Sequence, residues 1–455
     1  MRDADVIVIG AGPGGLAAAA SAGKKGADVL LIEREHRTGG ILNQCIHDGF
    51  GLVRYNAQLT GPEYAARSLS EVDLCHVRIL NDTMVIAIRR TKESLVVTAV
   101  SRDSVREYYA GSVILATGCR ERTRGMIGIP GTRPAGIFSA GTAQNLINTK
   151  NVMVGRRAVI LGTGDIGLIM ARRLTIEGAE VVCAIEAREK PQGLARNVRQ
   201  CIQDFGIPLY LSHTVTNVIG KRRLEAVIMS GVDSEGSPIP GSEKKIECDT
   251  LILSVGLIPE NEVAQTAGVS LDKDTNSIIT DEFLMTEVPG IFACGNCKGI
   301  MDLADYVSLE GEVAGENAAA YALNMNMRPS HVKGTGTAPK GMPEEGVLTC
   351  LFCPKGCSLR TEGDRVTGNG CRKGLEFAAF EKTAPRRVLT TTVKTAERGD
   401  LLPVRSEGYL PLKSISDIAD MLRNIRVCEP VKEGQLITCI SNPVSAKIVS
   451  QCNHE

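Results

Sequence analysis

The chain has 455 residues, of which 43% are hydrophobic, and its 52 basic and 52 acidic residues give a formal net charge of zero. A zero charge argues against a nucleic acid or an anionic membrane bound through overall charge, and no apolar run approaches the roughly 18 residues of a membrane-spanning helix. The N-terminus runs almost directly into a predicted strand, without a signal-peptide pattern. The 15 cysteines are too unevenly spaced for a secreted disulfide framework, so we expect a cytoplasmic protein that uses some of them for metal or redox chemistry.

The first predicted element is a strand, residues 6–9, followed by a glycine-rich turn and an alanine-rich helix. The spacing G-x-G-x-x-G in this setting is a dinucleotide-binding fingerprint, because its glycines allow a tight turn, close approach to a pyrophosphate and close helix–strand packing. A glutamate at the end of the next strand can accept hydrogen bonds from ribose hydroxyls. A glycine-rich turn without a ligand is the alternative. The predicted binding residues are Gly10, Gly12, Pro13, Gly14, Gly15 and Glu33.

The same pattern recurs in mid-chain, where Glu186 ends the second strand. A carboxylate at this position favours the free 2′-hydroxyl of NAD(H) over the 2′-phosphate of NADP, although Arg188 and Lys190 can weaken that preference. The predicted NAD-binding residues are Gly162, Gly164, Asp165, Ile166, Gly167, Glu186 and Gly256.

Two such sites, together with three further motifs, resemble the pyridine nucleotide–disulfide oxidoreductases, which are flavoproteins that bind two dinucleotides. The motifs are A-T-G at 116–118, "DTLILSVGLIPENE" at 249–262 and the segment 290–319 that begins "GIFACGNC". The resemblance covers about residues 4–325. It implies an α/β fold with two Rossmann-like domains and hydride transfer between nicotinamide and FAD.

The resemblance also implies the domain order. The FAD-binding domain is formed by 1–119 and 256–325, the NAD-binding domain is 120–255, a linker follows at 326–346, and 347–455 form a small C-terminal α+β domain. Asn296 stands where most relatives have Asp, and its amide can make the same hydrogen bond without the charge. A helix from about Ala304 would direct its N-terminus towards the flavin. The further FAD contacts implied are Arg34, Gly40, Ala116, Thr117, Gly118, Gly295, Asn296 and Asp305.

The redox disulfide of the family is absent from its usual place, since Cys45 should have a partner five residues on and that residue is Phe50. By resemblance Cys45 lies near the flavin, where it either packs against the ring or acts as a single reactive thiol; it is the one catalytic candidate. Cys294 and Cys297 form a separate C-x-x-C, which is either a second dithiol or a buried structural pair.

The C-terminal fifth contains the spacing C-x2-C-x3-C-x13-C. Three thiolates on one loop and a fourth from a later turn can hold a [4Fe–4S] cluster; zinc, which also accepts four thiolates, and free thiols are the alternatives. The spacing resembles the cluster motif of molybdopterin oxidoreductases. Residues 347–455 as a whole resemble a small uncharacterised domain found beside flavoproteins of the glycerol-3-phosphate dehydrogenase type. The predicted metal ligands are Cys350, Cys353, Cys357 and Cys371.

The motifs around residues 39–51 and 116–148 resemble the FAD/NAD subunits of multi-subunit opine and proline dehydrogenases. We therefore expect an FAD-dependent oxidoreductase subunit that passes electrons between NAD(H), FAD and an iron–sulfur cluster, beside a substrate-oxidising flavoprotein partner and in a homo- or hetero-oligomer. One alternative is a stand-alone NADH oxidase or thiol/disulfide reductase that uses Cys45 or the pair Cys294 and Cys297. Another is a zinc-stabilised binding subunit with structural dinucleotide sites.

Overall fold

The computed structural model describes residues 2–332, 339–343, 346–363, 365–442 and 444–454. Contacts divide the chain into two units, the first formed by residues 2–120 and 257–332 and the second by residues 121–256 and the C-terminal segment from residue 339. The predicted linker, 326–346, falls partly on residues 333–338 and 344–345, which lie outside the described residues. The assignment of one nucleotide to each domain stays a prediction.

The first unit is built on a seven-stranded sheet whose parallel half carries the N-terminal strand. This strand is formed by a run of buried, mostly β-branched residues, which suit a parallel sheet covered on both faces. The strands in spatial order are Arg78–Leu80, Val29–Ile32, Ala4–Ile9, Val105–Leu115, Leu95–Ser101 and Thr83–Arg90, and Ile291–Ala293 also pairs with Val105–Leu115.

Helices of the first unit cover this sheet. Pro13–Lys24 packs against Ala304–Ala322 so closely that a Cβ atom on Gly311 would lie 2.2 Å from the carbonyl oxygen of Gly14. The close packing of these two helices therefore requires small residues at their contact. The other helices are Gly61–Asp73 and Glu262–Thr266 and the 3-10 turns Gly40–Gln44 and Gly295–Cys297, and a hairpin joins Asp48–Phe50 to Leu59–Thr60. The chain passes between the units through the strands Cys119–Glu121 and Leu257–Pro259.

The second unit contains a five-stranded parallel sheet and an antiparallel sheet of three strands. The parallel strands in spatial order are Ile137–Ser139, Thr250–Leu253, Arg157–Leu161, Glu180–Glu186 and Leu209–Leu211. The antiparallel strands are His213–Gly220, Leu224–Gly231 and Lys244–Glu247. The helices of this part are Arg124–Ile127, Ala140–Asn148, Asp165–Ile176 and Ala195–Cys201, followed by the 3-10 turn Gln203–Phe205.

The C-terminal segment forms an α+β domain within the second unit. Along the chain its main sheet is formed by two strands, the helix Ile415–Leu422 and three further strands. The strands in spatial order are Arg426–Val427, Thr390–Thr395, Leu401–Ser406, Ala446–Ser450 and Leu436–Ile440. The remaining elements are the strands Leu348–Thr349, Ser358–Glu362, Arg365–Thr367, Arg386–Arg387 and Leu410–Pro411, the helix Arg372–Glu381 and the 3-10 turn Leu412–Ser414.

The predicted fold class is confirmed, since one mixed and one parallel sheet, each flanked by helices, are accompanied by a small α+β domain. Among the described helices, none combines the length and the apolarity that crossing a bilayer requires.

Candidate cofactor-binding sites

The glycine-rich turn after the strand Ala4–Ile9 has the steric features of a pyrophosphate-binding turn. A Cβ atom on Gly10, whose φ is +98°, would lie 2.5 Å from the carbonyl oxygen of Ala116, and one on Gly15 would lie 1.7 Å from the carbonyl oxygen of Gly10. A Cβ atom on Gly12 would have no atom within 4 Å. The protein itself therefore excludes side chains at two glycines, whereas the open side of Gly12 leaves its backbone accessible to a phosphate.

Glu33 is fixed beside this turn by backbone donors. Its side chain is buried, its Oε2 accepts a hydrogen bond from the N–H of Ala11 at 2.6 Å, and its Oε1 accepts one from the N–H of Glu35 at 2.9 Å. A carboxylate has lone pairs for further donors, so ribose hydroxyls can be bound here as well. Arg34 is exposed, and its Nη1 donates to Glu260 at 2.8 Å.

The loop that begins the 3-10 turn Gly40–Gln44 lies against the glycine-rich turn. The N–H of Gly39 donates to the carbonyl oxygen of Ala11 at 2.8 Å, and a Cβ atom on Gly40 would lie 2.9 Å from the Cα of Gly12. The predicted residue Gly40 is thus brought to the site. Gly39 was missed, although its φ of +117° requires glycine and the G-G dipeptide was the available signal.

The A-T-G motif lies at the carboxyl end of the neighbouring strand. The N–H of Ala116 donates to the carbonyl oxygen of Ile9 at 2.9 Å, and Oγ1 of Thr117 donates to the carbonyl oxygen of Glu260 at 2.8 Å. Gly118 has a φ of +74°. The motif is therefore brought to the edge of the sheet where ligands of open α/β folds bind.

The Gly-Asn dipeptide of the last predicted FAD motif is held by contacts within the protein. The N–H of Gly295 donates to Oε2 of Glu310 at 2.7 Å. The amide of Asn296 donates to Sγ of Cys119 at 3.4 Å and accepts from the N–H of Met301 at 3.0 Å. The predicted contact of Asn296 with FAD stays a prediction.

Asp305 has a local role that the sequence did not suggest. Its buried carboxylate accepts hydrogen bonds from the backbone N–H groups of Gly51, Val53 and Arg54, at 3.0, 3.1 and 2.8 Å. Three donors on one carboxylate fix the loop 51–54 to the start of the helix Ala304–Ala322. The predicted contact of Asp305 with FAD stays untested beside this positioning role.

Cys45 lies in an environment that suppresses the thiolate. The residue is 9% exposed, and burial raises the pKa of its thiol to about 12. Phe50, which stands where a partner cysteine would be, packs its ring 5.0 Å from that of His47. Because the thiolate is the reactive form, the geometry favours packing over catalysis at Cys45.

Cys294 and Cys297 are both buried free thiols. Burial is the largest cause that raises the pKa of each. The Sγ of Cys297 donates to the carbonyl oxygen of Leu115 at 3.3 Å. These contacts favour the structural interpretation of the C-x-x-C over a reactive dithiol.

The mid-chain turn is built like the first one, with Ser254 as an additional partner. A Cβ atom on Gly162, whose φ is +92°, would lie 2.1 Å from the carbonyl oxygen of Ser254, and one on Gly164 would lie 3.3 Å from its Oγ. The N–H of Gly167 donates to the same Oγ at 3.1 Å. Ser254 was missed because its partners are about 90 residues away along the chain.

Glu186 occupies the position that Glu33 has in the first unit. Its buried Oε2 accepts hydrogen bonds from the N–H of Thr163 at 3.0 Å and from its Oγ1 at 2.6 Å, and Oε1 accepts from the N–H of Arg188 at 3.0 Å. The carboxylate is thus held at the end of the strand, where an adenosine ribose would be bound.

The other predicted NAD-binding residues lie around this turn. Oδ1 of Asp165 accepts hydrogen bonds from the N–H of Leu194 and from Nδ2 of Asn197, both at 2.8 Å. Ile166 packs against the hydrophobic core below the helix Asp165–Ile176. Gly256 has a φ of +107° and accepts a hydrogen bond from the N–H of Arg122.

Three of the C-terminal cysteines, Cys353, Cys357 and Cys371, lie within electrostatic reach of the fourth, Cys350. The pKa of Cys350 is raised to about 11, first by burial and then by the charges of Cys353, Cys357 and Cys371, while the backbone N–H of Phe352 lowers it. The N–H of Cys350 also donates to the carbonyl oxygen of Cys357 at 2.9 Å. The structure therefore brings together the four residues that the spacing predicted.

An apolar wall supports the cysteine loop. Phe352 lies 6.2 Å from Phe377, 6.1 Å from Phe380 and 4.8 Å from Tyr409, measured between ring centroids. Cys371 is the N-cap of the helix Arg372–Glu381. The exposure of the four candidate metal ligands thus ranges from the buried Cys350 to the exposed Cys371.

Buried ion pairs fix the cysteine-containing domain to the NAD-type fold within the second unit. Arg387 contacts Asp204 at 2.5 Å and Glu381 at 2.7 Å, and all three side chains are at most 4% exposed. Arg199, whose side chain is 35% exposed, also contacts Asp204 at 3.6 Å and Glu381 at 3.3 Å. The N–H of Ala195 also donates to the carbonyl oxygen of Pro339.

Family comparisons match two parts of the chain. Residues 4–311 match the family described as pyridine nucleotide-disulphide oxidoreductase, and residues 372–450 match a family of proteins of unknown function, DUF1667. The second match begins directly after Cys371, so the four cysteines lie outside it.

Known relatives match over at least 70% of the chain. Thioredoxin reductase of Listeria monocytogenes serovar 1/2a (strain ATCC BAA-679 / EGD-e) is 28% identical over 324 residues, covering 70% of this chain and 93% of the relative. An opine oxidase subunit of Rhizobium meliloti is 26% identical over 420 residues, covering 85% of this chain and 77% of the relative. The solved structure of T. acidophilum thioredoxin reductase has a TM-score of 0.58 at 24% identity, covering 71% of this chain and 99% of that one, which shows a common fold.

Proposed function

The chain belongs to the pyridine nucleotide-disulphide oxidoreductase family and is an FAD-dependent, NAD(P)H-linked oxidoreductase, and from this premise we propose that it passes electrons between NAD(H), FAD and a C-terminal [4Fe–4S] cluster. The observation that carries the proposal is the grouping of Cys353, Cys357 and Cys371 around Cys350, which together with Cys357 belongs to an apolar cluster. A redox function through a family disulfide is opposed by Phe50, which occupies the place of the partner cysteine.

The cysteines fit a cluster better than a single zinc ion. Thiolates on tetrahedral zinc, about 2.3 Å from the metal, lie roughly 3.8 Å from one another. Within the described part of the chain, no three cysteine sulfurs lie within 4.8 Å of one another. The wider spacing supports a polynuclear group, whose iron atoms each take one thiolate.

The chain's own residues would bind and orient the cofactors. The accessible backbone at Gly12 and the N-terminus of the helix Pro13–Lys24 would hold the FAD pyrophosphate, and Glu33 its ribose. Bound FAD would supply a centre that exchanges a hydride with nicotinamide and single electrons with a cluster.

NAD(H) is proposed over NADP(H) because of Glu186. Its carboxylate is buried and fixed by Thr163 and Arg188, so it cannot swing away from a 2′-phosphate, which it would repel. Arg188 itself is exposed, and its Nη1 is bonded to Gln192 at 2.6 Å.

The partner is proposed to be a substrate-oxidising flavoprotein of the glycerol-3-phosphate dehydrogenase type, in a cytoplasmic complex. Support comes from the opine oxidase subunit of Rhizobium meliloti, whose name describes a component of a larger enzyme. All 15 cysteines are free thiols, which suits a reducing compartment.

The test is metal and flavin analysis of full-length protein purified without oxygen. We expect about four irons and one FAD per chain, with NADH bleaching both the flavin and the cluster absorption. Cys371→Ser should lose most of the iron and keep the FAD, whereas Cys439→Ser, which changes another exposed cysteine, should keep both. Zinc in place of iron, or iron retained by Cys371→Ser, would contradict the proposal.

The alternative of a thiol/disulfide reductase depends on Cys45 or on Cys294 and Cys297, and the burial of these thiols opposes it. We expect Cys45→Ser to retain NADH-dependent dye reduction within about threefold, because a packing residue tolerates a near-isosteric change. A loss of orders of magnitude would make Cys45 the electron acceptor.

A further inference from the structure

We propose that the C-terminal domain holds a second metal site, a divalent cation of the zinc type bound by Asp400, Glu429 and His454. Among the described residues these three form the one group of His, Cys, Asp or Glu side chains whose ligand atoms all lie within 4.8 Å of one another. The site is separate from the four cysteines and does not depend on the proposed electron transfer.

Two ligand atoms of this group, on His454 and Glu429, are buried without a hydrogen-bond partner. His454 is 3% exposed, and its Nδ1 lies 3.2 Å from Oε1 of Glu429. Neither of these two buried atoms has a hydrogen bond of suitable angle. A buried polar atom without a partner is costly, and a cation between the two atoms would satisfy both.

The distance and the donor types fit zinc. Two ligand atoms about 2.1 Å from a tetrahedral ion lie roughly 3.4 Å apart, close to the observed separation of the imidazole and carboxylate atoms. Zinc accepts one imidazole nitrogen and two carboxylate oxygens, and the thiolates that select iron–sulfur chemistry are absent from the group. Asp400 is exposed, so the outer side of the ion is open to water.

The fold brings the three ligands together from separate segments of the chain. Asp400 ends the turn between the strands Thr390–Thr395 and Leu401–Ser406, and its N–H donates to Oγ1 of Thr395 at 3.1 Å. The backbone of His454 forms a two-way bridge with Val431, two residues beyond Glu429, with both bonds at 2.8 Å. A bound ion would therefore tie the end of the described chain to a hairpin turn and to the segment after Arg426–Val427.

The competing explanation is a direct ion pair between a protonated His454 and Glu429. An ion pair needs no metal and no ligand atom from Asp400, which then acts only through its nearby charge. The two explanations differ in the zinc content of the protein and in the effect of removing the Asp400 charge.

The experiment measures zinc and iron on the same sample of full-length, anaerobically purified protein after desalting from zinc-containing medium. We expect one zinc per chain that is lost in His454→Ala and Glu429→Gln with iron unchanged. Glu407→Gln alters another carboxylate of this domain, paired with Lys447 on the surface, and should keep the zinc.

Zinc affinity, measured by competition with a chromogenic chelator, should fall by more than about 100-fold in each ligand variant, since loss of an outer-shell partner alone costs 10–100-fold. Because Asp400 is exposed, we expect Asp400→Asn to preserve the fold. This variant therefore tests the site even if His454→Ala unfolds. Added zinc should raise the melting temperature of the wild type but not of these variants. Wild-type protein without zinc binding, or undiminished zinc in Glu429→Gln and Asp400→Asn, would overturn the site; neither outcome bears on the iron.

Discussion

The two glycine-rich turns share one local geometry but differ in what covers the helix after each of them. In both, a buried glutamate accepts a hydrogen bond from the backbone N–H that follows the first glycine, Ala11 to Glu33 and Thr163 to Glu186. In both, the first glycine has a positive φ. This similarity shows that the fingerprint itself determines the turn.

The cover differs because it comes from different parts of the chain. The helix Pro13–Lys24 is covered by Ala304–Ala322, where Gly311 and Gly315 allow backbone contact. The helix Asp165–Ile176 is instead contacted by the cysteine-containing domain, for example by Nη1 of Arg173 to Oγ1 of Thr391 at 3.0 Å. The cysteine-containing domain therefore stabilises the NAD-type fold of the second unit. The Listeria thioredoxin reductase is too short to contain a domain of this size as well, because the alignment of 324 residues already covers 93% of its length.

The largest expected effect tests this difference in cover. Arg387→Ala removes the guanidinium between Asp204 and Glu381, two carboxylates that are each 1% exposed. Breaking a buried pair in this way costs about 3–5 kcal/mol. We expect a lower melting temperature and faster proteolytic cleavage of the second unit. Arg386→Ala, at the exposed neighbour, should change neither; equal effects of both variants would refute a specific role of the buried cluster.

The next effect compares the third glycines of the two turns. Gly15→Ala places a Cβ atom 1.7 Å from a backbone oxygen, whereas Gly167→Ala meets its nearest oxygen at 2.7 Å. Overpacking costs about 1–3 kcal/mol, and within that range we expect Gly15→Ala to lie at the upper end and Gly167→Ala at the lower end. Urea titration of the two variants, with flavin release as the probe of the first unit, measures the order. A reversed order would mean that the elements packed over each helix, and not the glycine-rich turn, determine how much each variant is destabilised.

A smaller effect separates binding from folding at the second glycine. Gly12→Ala introduces a methyl group where no protein atom lies within 4 Å, so we expect an unchanged apoprotein melting temperature and FAD affinity reduced by about 30-fold, because the pyrophosphate can no longer approach. Gly164→Ala should instead raise KM for NADH and leave FAD affinity unchanged. FAD titration of apoprotein and steady-state kinetics supply the readouts; normal FAD binding by Gly12→Ala would place the pyrophosphate elsewhere.

The smallest effect concerns the glutamate of the second turn. Glu186→Gln keeps an acceptor for Thr163 but removes the charge that opposes a 2′-phosphate, so the ratio of kcat/KM for NADH over NADPH should fall by about tenfold, or about 1.4 kcal/mol. Glu189→Gln, at an exposed position nearby, is the matched control. An unchanged ratio in Glu186→Gln would assign the coenzyme preference to Arg188 and its neighbours.

The sequence by itself determined the two glycine-rich turns, the strand and helix on either side of each, and the spacing of the four cysteines. These features depend on neighbours along the chain. Gly10 and Gly15 constrain one another across five residues, and the backbone N–H of Cys350 donates a hydrogen bond to the carbonyl oxygen of Cys357, seven residues later. Local sterics and spacing are sufficient to predict such contacts.

Only the tertiary structure decided the contacts between distant segments. Asp305 fixes a loop some 250 residues earlier, Ser254 completes the turn at Gly167, and His454 meets Glu429 and Asp400. None of these residues belongs to a short spacing pattern, because the partners come together only when separate strands join one sheet or when a helix docks. The environment of Cys45 likewise depends on the fold, since burial raises the pKa of its thiol to about 12.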